Sequence, residues 1–268
     1  MDARWSGIDP RLYFVTDTGL CQRAGRSVAQ TAALAVAGGA GIVQVRDKTL
    51  GDADFLALTR QVLAAVTSIT RGTGRRVPVF VNDRVAVART LLDEGADVHI
   101  HVGQDDWPVA EVRRVLGPHV LIGLSAATLR DCAAARAGGR VDLIGISPAF
   151  DTATKRDAGA GLGVDGVRAL ATQAGLPCVA IGGIDETRAA LLRSTGVIGI
   201  CVVSAICRAG DPQARRPRVN SWQRLQGLAP ETGRGRRVGI RRASCPSRGG
   251  RRAQSSCRCQ SPPRGRSA

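Results

Sequence analysis

Gly41-Ile42-Val43-Gln44-Val45-Arg46-Asp47-Lys48 changes character half-way along. Its first half alternates β-branched residues and reads as a buried strand. Its second half is polar. Gln44, Arg46 and Lys48 stand two apart, so an extended chain aims all three to one side. An amide, a guanidinium and an ammonium together suit an anionic, heteroatom-rich ligand. Lys48 carries further weight because the chain has two lysines, Lys48 and Lys155, against 36 arginines. Taken alone, the triplet reads as a solvated strand end; the polar ends of the other strands shift the reading toward a ligand site.

Working outward, the pattern recurs. Strands are expected at 11–17, 41–47, 77–83, 97–102, 120–125, 141–147, 177–182 and 199–204. Helices are expected at 27–37, 52–66, 85–93, 108–116, 128–137, 164–174 and 186–194, with Ser27 as a cap and Pro108 in a first turn. Eight strands, each but the last followed by a helix, make a (β/α)₈ barrel, the TIM-barrel fold, the economical α/β solution. An open doubly wound sheet is the alternative, but no Gly-x-Gly-x-x-Gly follows the first strand. The closing helix begins at Ala205, and Arg215-Arg216-Pro217-Arg218 stops it early, so it is expected to be short.

The net charge of +16 divides unevenly. Residues 215–268 hold 15 Arg, no Lys and one acid, Glu231, which leaves the first 214 residues near neutrality. The expected organisation is therefore a catalytic barrel over 1–214 and an Arg-rich disordered tail over 215–268. Clustered Arg suits a nucleic-acid-binding arm, yet the tail lacks spaced aromatics and any repeat. A non-native extension, such as a shifted reading frame, is the preferred reading, and nucleic acid is expected only as a non-specific partner of the tail. Cys257-Arg258-Cys259 there is too sparse to assign. Cys21, Cys132, Cys178, Cys201 and Cys207 sit in apolar segments and read as reduced, packed thiols. No apolar run approaches a membrane span and no apolar signal region opens the chain, so a soluble cytoplasmic protein is expected.

In such a barrel the chemistry lies at the C-terminal strand ends. Those ends read Thr16-Asp17, Gln44 to Lys48, Asn82-Asp83, Gly103 to Asp106, Ser125, Gly182-Gly183 and Val203-Ser204, and the loop after strand six adds Thr152-Ala153-Thr154-Lys155. Asp83 and Asp106 follow neighbouring strands and together suit Mg²⁺ with several waters and a diphosphate. Each alone reads first as a helix N-cap; together, with Asn82 and Gln104 beside them, they read as a metal pair. Asp105 competes with Asp106 for the metal. Gly182-Gly183 and Val203-Ser204 match a phosphate cradle, and Thr152, Thr154 and Lys155 an anion clamp. His99 and His101 face one side of a strand, but no third nitrogen or thiolate follows at ligand spacing.

Gln44-Val45-Arg46-Asp47-Lys48, Val81-Asn82-Asp83-Arg84, His101-Val102-Gly103-Gln104-Asp105-Asp106, Gly123-Leu124-Ser125, Thr152-Ala153-Thr154-Lys155, Ala180-Ile181-Gly182-Gly183-Ile184 and Val203-Ser204-Ala205-Ile206 stand in the order and spacing of thiamine-phosphate synthases. The resemblance spans about residues 11–214. It implies a Mg²⁺-dependent transferase of thiamine biosynthesis, joining a hydroxymethylpyrimidine diphosphate to a hydroxyethylthiazole phosphate with loss of diphosphate. It implies that Gln44, Arg46, Lys48, Asn82, Ser125 and Lys155 hold the pyrimidine diphosphate, with Lys48, Lys155 and Ser125 at the reacting groups. Asp83 and Asp106 would hold Mg²⁺. Thr152, Thr154, Gly183, Val203 and Ser204 would hold the thiazole phosphate. The partners implied are these small molecules, with a homo-oligomer open and no membrane. The chain departs from the family pattern at His99-Ile100-His101, one residue longer than usual, at Ser147-Pro148-Ala149-Phe150, and in its short closing helix. The alternatives are a thiazole tautomerase-like barrel, or a catalytically impaired protein recruited to nucleic acid by its tail.

Overall fold

The computed structural model describes residues 3–152 and 159–209. Eight parallel strands close on themselves in sequence order: β1 (Leu12–Val15), β2 (Ile42–Val45), β3 (Val79–Asn82), β4 (Val98–Val102), β5 (Ile122–Ala126), β6 (Leu143–Ile146), β7 (Cys178–Ile181) and β8 (Gly199–Val202). The expected TIM barrel is present. Its strands are buried on both faces, as helix-covered parallel strands must be. The strand positions that escape burial are Asn82, Ser125 and Ile181, all near the C-terminal ends. One rim of the barrel is therefore left open, and it is the rim that carries the polar strand ends.

The helices are α1 (Thr18–Arg23), α2 (Val28–Ala37), α3 (Asp52–Thr70), α4 (Val85–Asp93), α5 (Val109–Leu116), α6 (Leu129–Gly138), α7 (Gly163–Ala174), α8 (Glu186–Leu191) and α9 (Ser204–Cys207). Ser27 caps α2 through a reciprocal pair with Gln30, and Thr128 does the same for α6 with Asp131. Two differences from the sequence reading bear on the rim. The first strand stops at Val15, because Asp17 caps the unexpected α1 by accepting from the Leu20 N–H. Asp17 thus serves a helix rather than a ligand. The closing helix α9 is four residues long and capped at Arg208, well before Arg215. The 214/215 boundary and the tail lie outside the described residues.

Inside the barrel, Tyr13, Phe80 and His99 stack in series, with ring centroids 5.6 and 5.2 Å apart, and Trp5 joins this inner cluster. The Leu121 N–H donates to His99 Nδ1 at 3.1 Å, which requires that nitrogen to be bare. Burial pushes the His99 pKa down to about 4, against the pull of the Asp97 carboxylate. The folded value lies below the unfolded one, near 6.5. His99 therefore contributes stability that is complete above about pH 6.5 and is lost as pH falls toward 4. Melting temperature followed across that window should decline, and His99→Phe should flatten the decline. An unchanged pH slope in the variant would place the acid sensitivity elsewhere.

Candidate active site

A cavity of about 440 Å³ opens at the C-terminal mouth. It gathers Gln44, Arg46, Lys48, Asn82, Asp83, Asp106, Ser125, Thr152, Gly183, Val203 and Ser204 on one surface. Thr154 and Lys155 lie outside the described residues. Every other residue to which the resemblance gave a role lines this mouth, whereas Thr16, Asp17 and His99 do not.

The β2 end is fixed first. Gln44 is buried, and its Nε2 donates to Tyr13 Oη at 2.8 Å, which sets the amide plane. Thr16 Oγ1 accepts from the Arg46 N–H at 3.0 Å and pins the strand's exit. Asp47 turns into its own loop, accepting from the Thr49 N–H, the Thr49 hydroxyl and the Leu50 N–H. Burial raises its pKa, but the nearby Thr18 hydroxyl and these bonds outweigh that and hold it at about 2. Arg84 braces the same loop from the far side, bonding Asp52 and the Leu50 carbonyl and lying over the Phe55 ring. The result is a stiff loop that presents Lys48, whose Nζ donates to Asp83 Oδ2 at 2.8 Å.

Asp83 has φ +62°, the left-handed region that Asp tolerates better than most side chains. Its N–H donates to the His101 carbonyl at 2.9 Å, so β4 holds it there. Asp106 Oδ2 accepts from the Gly103 N–H at 2.6 Å. Burial raises the Asp106 pKa; the Gly103 bond opposes this, and the neighbouring Asp83 carboxylate adds to the rise. Neither acid is a helix N-cap: those positions are Arg84 and Pro108, and neither makes a side-chain cap bond. Of the two competitors, Asp106 is the one that meets Asp83. Two carboxylates brought together beside a diphosphate-sized cavity fit a hard divalent cation, which removes their repulsion. Among the described residues no three His, Cys, Asp or Glu side chains form a metal-binding group. His99 is engaged in the inner stack, its Nδ1 accepting from the Leu121 N–H.

His101 was missed as a site residue. Its Nε2 lies 3.0 Å from Ser125 Oγ, and Gln104 Nε2 donates to the Ser125 carbonyl at 2.6 Å. Opposite, Gly182 and Gly183 adopt φ +109° and +59°. A Cβ on Gly183 would stand 2.4 Å from the Asp151 carbonyl oxygen, so only glycine lets the chain pass there. Arg188 holds the turn by donating to the Gly183 carbonyl at 2.8 Å, with its guanidinium over Phe150. The five described cysteines are free and buried, as expected of packed thiols.

With this geometry in hand, comparison with known proteins is informative. The profile of a family described as thiamine monophosphate synthase matches residues 12–206. A thiamine-phosphate synthase from Chloroflexus aurantiacus is 43% identical over 210 residues, covering 77% of this chain and 89% of that protein. One from Albidiferax ferrireducens is 42% identical over 202 residues, covering 75% and 86%. The solved thiamine phosphate pyrophosphorylase of Pyrococcus furiosus superposes with a TM-score of 0.67 at 26% identity, covering 84% of this chain and 98% of that one.

Proposed function

The chain belongs to the thiamine monophosphate synthase family, and we propose that it condenses hydroxymethylpyrimidine diphosphate with hydroxyethylthiazole phosphate to give thiamine phosphate and diphosphate. The observation that supports this reading is that Lys48, Asp83, Asp106 and Ser125 line one mouth together with the Gly182-Gly183 turn. That is room and chemistry for a diphosphate on one side and a monophosphate on the other.

In this reading Gln44 and Asn82 bind the pyrimidine and its linkage, and Arg46, Lys48, Ser125 and Lys155 take the diphosphate. Asp83 and Asp106 hold Mg²⁺, which would neutralise diphosphate charge. Thr152, Thr154 and the backbone at Gly183, Val203 and Ser204 bind the thiazole phosphate. The C–O bond to the diphosphate breaks with its electron pair leaving on oxygen, and the thiazole nitrogen lone pair forms the new C–N bond. The residues that matter are those stabilising charge on the leaving oxygen, because no proton need be removed from either reacting atom. Free buried thiols fit a reducing, cytoplasmic setting. No described helix is long and apolar enough to cross a membrane. We assign catalysis to residues 1–214 and no part in it to residues 215–268, whose Arg would give at most non-specific contact with nucleic acid. A homo-oligomer is compatible with the reading.

The direct test incubates the protein with both substrates and Mg²⁺. Thiamine phosphate and diphosphate should appear in equal amounts, and neither when a substrate is omitted. Diphosphate release without thiamine phosphate would overturn the reading. Gly183→Ala tests the phosphate side. A non-glycine residue in the left-handed region costs about 1–2 kcal/mol, and the new Cβ also meets the Asp151 carbonyl oxygen, so the turn must shift. KM for the thiazole phosphate should therefore rise by at least roughly tenfold, with KM for the pyrimidine diphosphate little changed.

A further inference from the structure

A Ser and a His 3.0 Å apart at the mouth of a cavity invite the reading of an activated nucleophile. The surroundings of His101 say otherwise. Its ring lies in a slot between β5 and β6. A Cβ on Gly123 would stand 2.3 Å from His101 Nδ1, and one on Gly145 would stand 3.1 Å from Cε1. Only two glycines in register with β4 and β5 leave room for an imidazole here, since His101 pairs with Gly123 and Ser125 with Gly145. Within that slot Nδ1 is buried and has no hydrogen-bond partner among the described residues. A triad histidine needs an acceptor at that nitrogen to orient it as a base, and none is present among the described residues.

A neutral imidazole has one N–H and one bare nitrogen. The ring is buried and its Nδ1 meets no acceptor among the described residues, so a second N–H there is disfavoured and the ring is neutral. Orphaned buried N–H groups are rarer than under-used acceptors. The hydrogen that Gly123 carries toward Nδ1 also meets a lone pair better than a second hydrogen. The N–H therefore belongs on Nε2, where it can donate to Ser125 Oγ. A hydroxyl that accepts from His101 has its own hydrogen free for another acceptor.

We propose that His101 is a positioning residue: it donates from Nε2 to Ser125, so that the Ser125 hydroxyl donates to the leaving diphosphate oxygen rather than attacking anything. This rests on the condensation reading above and assigns Ser125 its polarity within it. Charge growing on the leaving oxygen in the transition state would strengthen that donation, so the effect belongs in kcat more than in KM.

The test combines spectroscopy with a mutant cycle. In ¹⁵N-histidine-labelled protein, two-bond correlation spectra should show a protonated Nε2 and a bare Nδ1 for the ring assigned by its loss in His101→Gln. His101→Leu should lower kcat on the order of 10-fold, the scale on which the outer partner of a functional side chain is felt, with KM nearly unchanged. His101→Gln, whose amide N–H reaches the same place, should recover most of it. In a Ser125→Ala background His101→Leu should cost nothing further. A protonated Nδ1 would overturn the proposal, as would a His101→Leu loss that persists undiminished in Ser125→Ala. A parent protein that makes no thiamine phosphate would instead overturn the condensation reading, and the tautomer would still decide the hydrogen bond.

Discussion

Lys48→Ala should cut turnover by at least ~10²-fold, the scale seen on removing one preorganised electrostatic contact, while the melting temperature barely moves. The two halves of that expectation have separate causes. The Lys48 side chain is 58% exposed, so its removal gives up little packing. Its ion pair with Asp83 is solvent-screened, and such pairs contribute about 0–1 kcal/mol to stability. Turnover is another matter. The ammonium sits at the end of a loop held by Asp47, Thr49 and Arg84, so it is placed before substrate arrives. A preplaced charge acts most on a leaving group that is gaining charge. Lys48→Arg should rescue poorly, because a planar fork cannot take the volume of a compact ammonium beside Asp83. Lys155→Ala, in a stretch outside the described residues, should behave alike if it too meets the diphosphate. Single-turnover rates and thermal melts of these variants separate the outcomes. Near-parent turnover in Lys48→Ala, or an Arg variant as fast as the parent, would remove Lys48 from the chemistry.

What could be read beforehand depended on how local its cause was. β2 was legible because Ile42, Val43 and Val45 announce a buried strand and its polar continuation has a period of two. The rim followed from counting eight such units, since a barrel puts every strand's C-terminal end on one side. Asp17 misled because caps and ligands draw on the same residue types, and α1 is too short to show a helical period. The left-handed backbone of Asp83 could not be seen, as it depends on a hydrogen bond to β4. His101 was hidden for a related reason. With His99 it reads as half of a metal pair that lacks a third ligand, and its slot is built by Gly123 and Gly145, more than twenty residues on. Two small residues in successive strands beside a strand histidine were the available signal.

Asp83→Asn should leave the barrel folded and weaken both its binding of Mg²⁺ and its turnover. Asn is as well suited to φ +62° as Asp, and the backbone N–H to the His101 carbonyl is retained, so the local fold has no reason to change. The charge is what disappears. With it goes one of two carboxylates proposed to hold the metal, leaving Asp106, already tied to the Gly103 N–H, to bind alone. Mg²⁺ titrated calorimetrically into the protein with pyrimidine diphosphate present should bind at least ~10-fold more weakly than in the parent, about 1.4 kcal/mol. Turnover at a fixed Mg²⁺ concentration should fall by ~10²-fold or more. Metal-free melting should change little, because losing the Lys48 pair is offset by relief of the repulsion with Asp106. Asp83→Ala supplies the contrast: it lacks both the charge and the tolerance for a positive φ, so it should lose stability as well as turnover. If Asp83→Asn binds Mg²⁺ and turns over like the parent, the carboxylate is there for its loop and not for the metal.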